Sequence, residues 1–197
     1  MNPFDVGYYS ENELRECGFK RLGKNVSIAK NCTIVGLENI AIGDNVRIDG
    51  YTTIVASGEG FLTLGSFIHI GGYSLLSAGA GITLHDFSGL SQGVKIYSKT
   101  DDYSGNYLTN PTVDADYTGV SSGEVTLGRH VIIGSGTVIL PKVTIGEGAS
   151  VGALSLVTKS LPEWGMYFGA PAKKIKDRKK KLLEVEQRFL AHCGAIK

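Results

Sequence analysis

Aliphatic residues return along this chain with a period of six. Six segments superimpose: Leu22–Ile28, Ile42–Ile48, Leu64–Ile70, Leu84–Leu90, Leu127–Ile133 and Ile145–Val151. Each opens on an aliphatic residue, usually followed by glycine, and the next aliphatic stands six residues on. A third follows after six more, at Ile34, Ile54, Leu76, Ile96, Ile139 and Val157. From Leu127 to Val157 the phase never slips. Such a period fits neither an α-helix nor a two-sided strand. It fits a short strand plus a turn, with one aliphatic side chain pointing inward per face. Three faces, about eighteen residues, close a triangular coil, and successive coils stack at strand spacing.

The expected fold is therefore all-β, a parallel β-helix of hexapeptide repeats with about six coils. Glycine after the aliphatic residue is expected at the corner with a positive φ. A small residue four positions after the second aliphatic of each coil (Cys32, Thr52, Ser74, Val94, Thr137, Ser155) suits a narrow interior. Coil starts are 20, 22, 20 and 18 residues apart where no loop intervenes, so the extra residues at 36–40, 57–62 and 79–82 are corner extensions. A glycine-rich β-sandwich would alternate with period two and would not hold one phase through consecutive hexads.

The ladder breaks once. Thirty residues, 97–126, separate Ile96 from Leu127, and loops of that length in a compact domain are functional or disordered. The tyrosines, Asp101, Asp102, Asn106, Asn110 and Pro111 within it favour an ordered arm. Residues 10–17 predict a short helix, because Ser10 with Glu13 forms a capping box and Gly18 ends it. The chain divides into an N-terminal helical cap (1–21), the β-helix with its inserted loop (22–162), and an exit segment with a C-terminal helix (163–197). In that tail Ile175, Leu182, Leu183, Val185, Phe189 and Leu190 recur at helical spacing from Lys173 to His192.

Composition narrows the function classes. A net charge of +1 gives no field that points to nucleic acid, and no apolar run is long enough to insert into a membrane. Three widely spaced cysteines form neither a disulfide framework nor a zinc knuckle, and residues 1–6 lack the order of a secretory signal, so a reducing cytoplasm is expected. The 27 glycines, about twice the usual share, are spread along the repeat rather than clustered in a linker.

The repeat resembles the hexapeptide-repeat, left-handed β-helix superfamily. Ile133-Gly134-Ser135, Val151-Gly152-Ala153, Val157-Thr158-Lys159 and Gly169-Ala170-Pro171-Ala172-Lys173 resemble, in order and spacing, the galactoside and maltose O-acetyltransferase branch and its N-acyltransferase relatives for nucleotide-linked amino sugars. That resemblance implies a coenzyme-A-dependent acetyl- or acyltransferase acting on a sugar hydroxyl or amine, with acetyl-CoA or another acyl-CoA as co-substrate and no metal. It also implies a homotrimer, with the cofactor in a groove between neighbouring subunits. Residue by residue it places Gly134, Ser135, Gly152, Ala153, Thr158, Lys159, Lys173 and Lys176 along the cofactor. Pantetheine amides could pair with backbone groups left free at corners such as Gly134 and Gly152, and the lysines supply cations for phosphates.

The attacking hydroxyl or ammonium needs a base, and the thioester oxygen a donor. The O-acetyltransferases carry a histidine just inside the long loop; here the stretch is Lys99-Thr100-Asp101-Asp102-Tyr103. The base is then Asp101, Asp102 or His69. A carboxylate suits an amine better than a sugar hydroxyl. Ser91, Tyr97 and Ser98 flank the loop as candidate acceptor contacts. Two other classes use such a coil: a zinc hydratase like the γ-class carbonic anhydrases, for which His69, His85 and His130 lack the closely spaced pair, and a non-catalytic assembly module, against which Lys159 and the Pro171-Ala172-Lys173 exit argue.

Overall fold

In the computed structural model, which describes residues 5–195, every aliphatic position of the hexads points inward. The first sheet stacks Arg21–Leu22, Ile40–Ile42, Leu62–Leu64, Ile82–Leu84, Val125–Leu127 and Thr144–Ile145 in parallel. The second stacks Ser27–Ile28, Val46–Ile48, Ile68–Ile70, Gly89–Leu90, Ile132–Ile133, Ser150–Val151 and Gly165–Phe168, and closes with the antiparallel strand Lys173–Asp177. The third stacks Thr33–Val35, Thr53–Val55, Leu75–Ser77, Lys95–Tyr97, Val138–Ile139 and Leu156–Val157. The fold is a left-handed parallel β-helix of six full coils with a seventh begun by Gly165–Phe168. Inward residues such as Ile48, Leu64, Leu76, Leu84, Ile96 and Ile139 are wholly buried, each contributing about 1.5–3 kcal/mol. The small interior positions Thr52, Ser74, Val94, Thr137 and Ser155 are buried too, and Ser74 and Ser155 donate to the carbonyls of Gly71 (2.7 Å) and Gly152 (2.8 Å).

The corner chemistry differs from the sequence expectation. Glycines after the aliphatic residue do not carry the positive φ; they permit coils to stack. A Cβ on Gly43 would stand 2.5 Å from the carbonyl oxygen of Gly65, and one on Gly128 would stand 2.7 Å from the amide nitrogen of Glu147. The left-handed residue comes two positions later, three after the aliphatic. At the corner between the first and second sheets these are Asn25, Asn45, Phe67, Phe87 and His130, with φ of 54–60°, and Gly148 at 65°. At the corner between the second and third they are Tyr51, Tyr73, Gly93, Gly136 and Leu154. A left-handed turn repeated in each coil throws the side chain outward, where it stacks on the equivalent residue of the next. Phe67 and Phe87 lie 4.7 Å apart and 4° from parallel, and Phe87 stacks on His130 at 5.2 Å.

The N-terminal helix, α1, runs Glu11–Glu16, with Ser10 and Glu13 exchanging the two capping-box hydrogen bonds and Leu14 buried against the first coil. The inserted segment is ordered: Lys99–Thr100 pairs antiparallel with Ser121–Ser122, and Asp114 caps a 3-10 turn at Ala115–Tyr117. The helical spacing read from Lys173 onward holds only from Leu182. Residues Lys173–Asp177 form a strand, because Gly165–Phe168 offers them an unpaired sheet edge, and α2 covers Leu182–Ala195. Helix α2 lies along the first ladder, where Phe189 meets Phe67 edge-on at 5.3 Å. Glu186 of α2 accepts from Arg129 and from His130 (2.9 Å), and the Arg178 guanidinium donates to the carbonyls of His130 (2.8 Å) and Gly148 (3.0 Å). Residues 1–4 and 196–197 of the two terminal segments lie outside the described range.

Candidate active site

His69 stands on the outer face of Ile68–Ile70, in register with Arg47 below it and Gly89 above. Its Nε2 lies 2.8 Å from Asp49 Oδ2, and Asp49 also accepts from Arg47 Nε (2.7 Å) and the Tyr8 hydroxyl (3.0 Å). Partial burial pushes the Asp49 carboxyl up, but the hydrogen bonds from His69, Arg47 and Tyr8 outweigh it and hold the group below the usual carboxylate range. Asp49 was not evident from the sequence. Its signal is positional: it occupies the corner place that Gly71 and Ser91 take in the next two coils. Ser91 is half-buried and lines a cavity of about 190 Å³ with His69, Gly71, Gln92 and Ile132.

On the far edge of the third sheet, Asp101 is half-buried in a cleft of about 520 Å³ under the arm, with Ser77, Lys99, Thr100, Asn110 and Pro111. Among the described residues its carboxylate accepts no hydrogen bond. Asp102 faces its own turn, accepting from the amides of Ser104 (3.1 Å) and Gly105 (3.0 Å) and from the Ser104 hydroxyl (2.8 Å). The Ser104 hydroxyl first, then these amides, holds its carboxyl below the usual range. Tyr97 is half-buried in register with Ser77. Ser98 requires a correction: it is wholly buried, and its hydroxyl accepts from the Ala80 amide (2.8 Å) while donating its only proton to the Ser77 carbonyl (2.9 Å), so it presents no donor to an acceptor substrate.

The cofactor candidates also divide between two edges. Gly134, Ser135, Gly152 and Ala153 line the corner between the second and third sheets; Thr158 and Lys159 lie beyond Leu156–Val157, at the opposite corner, and are exposed. The backbone amides of Gly134 and Gly152 are not free, as had been expected. They donate to the carbonyls of Val151 and Tyr167, both at 2.8 Å, because the coil ladder continues through the corner. Lys173 and Lys176 are exposed on the final strand, and no ion pair engages either among the described residues; their neighbour Lys174 binds Asp177 at 2.7 Å. Within one chain no three metal-ligating side chains cluster among the described residues, since His69 is held by Asp49 and His130 by Glu186. Among the described residues no helix is long and apolar enough to cross a membrane.

The two halves of this constellation do not meet in one copy. Ser91, His69 and the Gly134–Ser135 corner lie on one side of the third sheet, Asp101 and Lys159 on the other. The strand Lys95–Tyr97 alone puts about 10 Å between them.

The model of the bacterial transferase hexapeptide family (six repeats) matches residues 124–159. A dTDP-4-amino-4,6-dideoxy-D-glucose acyltransferase of Escherichia coli is 44% identical over 93% of this chain and 95% of its own length. AntD, an N-acyltransferase from Bacillus cereus solved with dTDP and 3-hydroxybutyryl-CoA, superimposes with a TM-score of 0.92 at 42% identity, covering 97% of this chain and 100% of that one. Variants of AntD at a serine and at an aspartate ten positions further on have also been solved, two serine variants with dTDP-4-amino-4,6-dideoxyglucose and coenzyme A. Likeness of this extent, on a β-helix whose every coil keeps the hexad, settles the family: the chain belongs to the bacterial hexapeptide-repeat transferases and is an acyltransferase.

Proposed function

We propose that this chain transfers an acyl group from acyl-coenzyme A to the amino group of a nucleotide-linked 4-amino-4,6-dideoxy sugar, as a homotrimer with its sites between copies. Likeness over more than nine-tenths of the chain to acyltransferases of such sugars carries the reading. Ser91 and Asp101 have the ten-residue spacing of the serine and aspartate varied in AntD, and among the described residues neither side chain is engaged in a hydrogen bond. Their separation across the third sheet calls for a second copy, whose Asp101 edge would face the Ser91 corner. The arm points the same way: Tyr103 is 89% exposed and Tyr107 and Tyr117 more than half exposed, a surface that a neighbour would cover.

The amine attacks the thioester carbonyl directly, so the nucleophile loses a proton and the departing sulfur gains one. Asp101 takes the ammonium proton, since Asp102 is committed to its turn and His69 Nε2 to Asp49. The Ser91 hydroxyl donates to the carbonyl oxygen as negative charge builds there. Small corners at Gly134, Ser135, Gly152 and Ala153 give a pantetheine chain room against the coils, with Thr158 and Lys159 opposite, and Lys173 and Lys176 supply charge for its phosphates. A cytoplasmic reaction fits this reading, since Cys17, Cys32 and Cys193 are free thiols. One observation favours O-acylation as a second reading: Asp49 holds only the Nε2 of His69, which leaves Nδ1 as the kind of base a hydroxyl requires.

Thiol release from acetyl-CoA and 3-hydroxybutyryl-CoA, measured against dTDP-4-amino-4,6-dideoxyglucose, dTDP-glucose and free galactosides, tests the reading. Turnover of the amino sugar alone is expected. Turnover of dTDP-glucose or a galactoside in its place would overturn N-acylation.

A further inference from the structure

Two corners of the β-helix carry outward ladders of left-handed residues, and the chain covers one of them. Phe67, Phe87 and His130 are roofed by α2. At the corner between the second and third sheets, Tyr51 and Tyr73 stack at 4.8 Å and 12°, yet stay 59% and 67% exposed. Above Tyr73 the column turns to Gly93 and Gly136 and resumes only at Leu154, whose side chain reaches back over Gly136. Packing does not require glycine at 93, because a Cβ there would meet nothing closer than 3.8 Å. Nor does the backbone, since tyrosine fills the same turn in the two coils below and leucine fills it two coils above. The glycine leaves one face of Tyr73 uncovered. From Tyr73 to the Gly136 rung that Leu154 covers is two coil steps, roughly 10 Å, enough for one flat ring on the tyrosine.

We propose that the free face of Tyr73 is the platform on which the pyranose ring of the acceptor lies, filling the rung left empty by Gly93. This rests on the reading that the acceptor is a nucleotide-linked amino sugar. The C–H face of a deoxygenated hexose is apolar and slightly electropositive, which matches the negative face of an aromatic ring. The place is right for the chemistry: Ser91 lies two residues before Gly93 in the same coil, beside the cavity lined by His69 and Gln92. A pyranose on this rung keeps its amine near Ser91, while the acyl chain approaches past the Gly134–Ser135 corner, because Leu154 covers the Gly136 rung. A nucleobase stacked there instead would hold the amine a pyrophosphate's length away.

The test uses the full-length protein and the variants Tyr73→Ala, Tyr73→Phe and Gly93→Leu, the last filling the rung with a side chain that the column already accepts at Leu154. Wild-type protein is first titrated with dTDP and assayed with dTDP-4-amino-4,6-dideoxyglucose. If it neither binds the one nor acylates the other, the reading of its function fails, and the platform with it. Otherwise Tyr73→Ala and Gly93→Leu are expected to raise the KM for the amino sugar about tenfold, with the KM for acyl-CoA and the Kd for dTDP within twofold of wild type. Tyr73→Phe keeps the ring and restores the KM to within threefold. An unchanged KM for the amino sugar in both variants would overturn the platform. So would an equal loss of dTDP affinity, which would make it a base-stacking ledge, or dissociation of the oligomer, which would make it a subunit contact.

Discussion

Phe87 sits at φ 59°, stacked between Phe67 and His130 and edge-on to Phe189 at 6.3 Å. Truncating a buried phenylalanine to alanine costs about 3–5 kcal/mol, and Phe87 is half-buried, so Phe87→Ala is expected to lose about 2 kcal/mol. Alanine keeps the left-handed backbone and its penalty of about 1–2 kcal/mol, which glycine removes. Glycine gives back about 0.5–1 kcal/mol through the greater entropy of its unfolded chain. The order should therefore be wild type, then Phe87→Gly, then Phe87→Ala, with glycine ahead of alanine by about 0.5–1 kcal/mol. In a right-handed or extended site the last two would exchange places. Guanidinium denaturation at one fixed protomer concentration, read by far-UV circular dichroism, measures the order. Equal m-values would show that the variants unfold from the same state. Phe87→Ala equal to or more stable than Phe87→Gly would refute the reasoning that ladder positions are set by the left-handed turn.

Three further outcomes follow from the same geometry. Glu186→Ala leaves Arg129 and His130 without their partner and should loosen α2 by about 2 kcal/mol, so that trypsin cuts after Arg188 roughly 30-fold faster; an unchanged rate would mean that the aromatic contacts alone hold the helix. Ser98→Ala should lose about 1–2 kcal/mol of stability, because it strips the Ala80 amide of its acceptor, with no change in the KM for the acceptor; a raised KM would return Ser98 to the site. The Asp49 carboxyl is held below its unfolded value, so its contribution is complete above the ordinary carboxylate range and lost as pH falls through the lowered value. Asp49→Asn should be less stable than wild type in urea at pH 7, and the gap should close in strong acid; a gap that widened there would reverse the sign of the linkage.

The scaffold was legible in the sequence because one inward aliphatic per face is a constraint repeated in every coil. Capping at Ser10 and Glu13 was legible for a similar reason, being a local pair of complementary groups. The corner mechanism was harder to see. Glycine after the aliphatic residue suggested a positive φ, but its cause is the close approach of the next coil, and the left-handed places are filled by Asn, Phe, Tyr, His and Leu as well as by Gly93 and Gly136, with no one residue type to mark them. The strand Lys173–Asp177 was hidden because its pairing depends on an edge supplied by residues 165–168. In the site, single residues such as Ser91 and Asp101 could be picked out, but not their partners. Asp49 beside His69 and Glu186 beside His130 are 20 and 56 residues apart in the chain; coil stacking joins the first pair and the docking of α2 the second. The hydroxyl of Ser98 read as available because burial is invisible at a chain position next to a loop.

The central claim is that the acyl-transfer site is shared, with Ser91 from one copy and Asp101 from its neighbour. Co-expression of Ser91→Ala and Asp101→Asn chains with different tags, followed by purification of the mixed oligomers, tests it most directly. Each variant alone should lose activity by at least about 100-fold. In a mixed trimer of either composition one interface in three pairs an intact Ser91 with an intact Asp101, so about a third of wild-type turnover should return. Mixed oligomers no more active than the separate variants would place both residues in the same site of one chain and contradict the account.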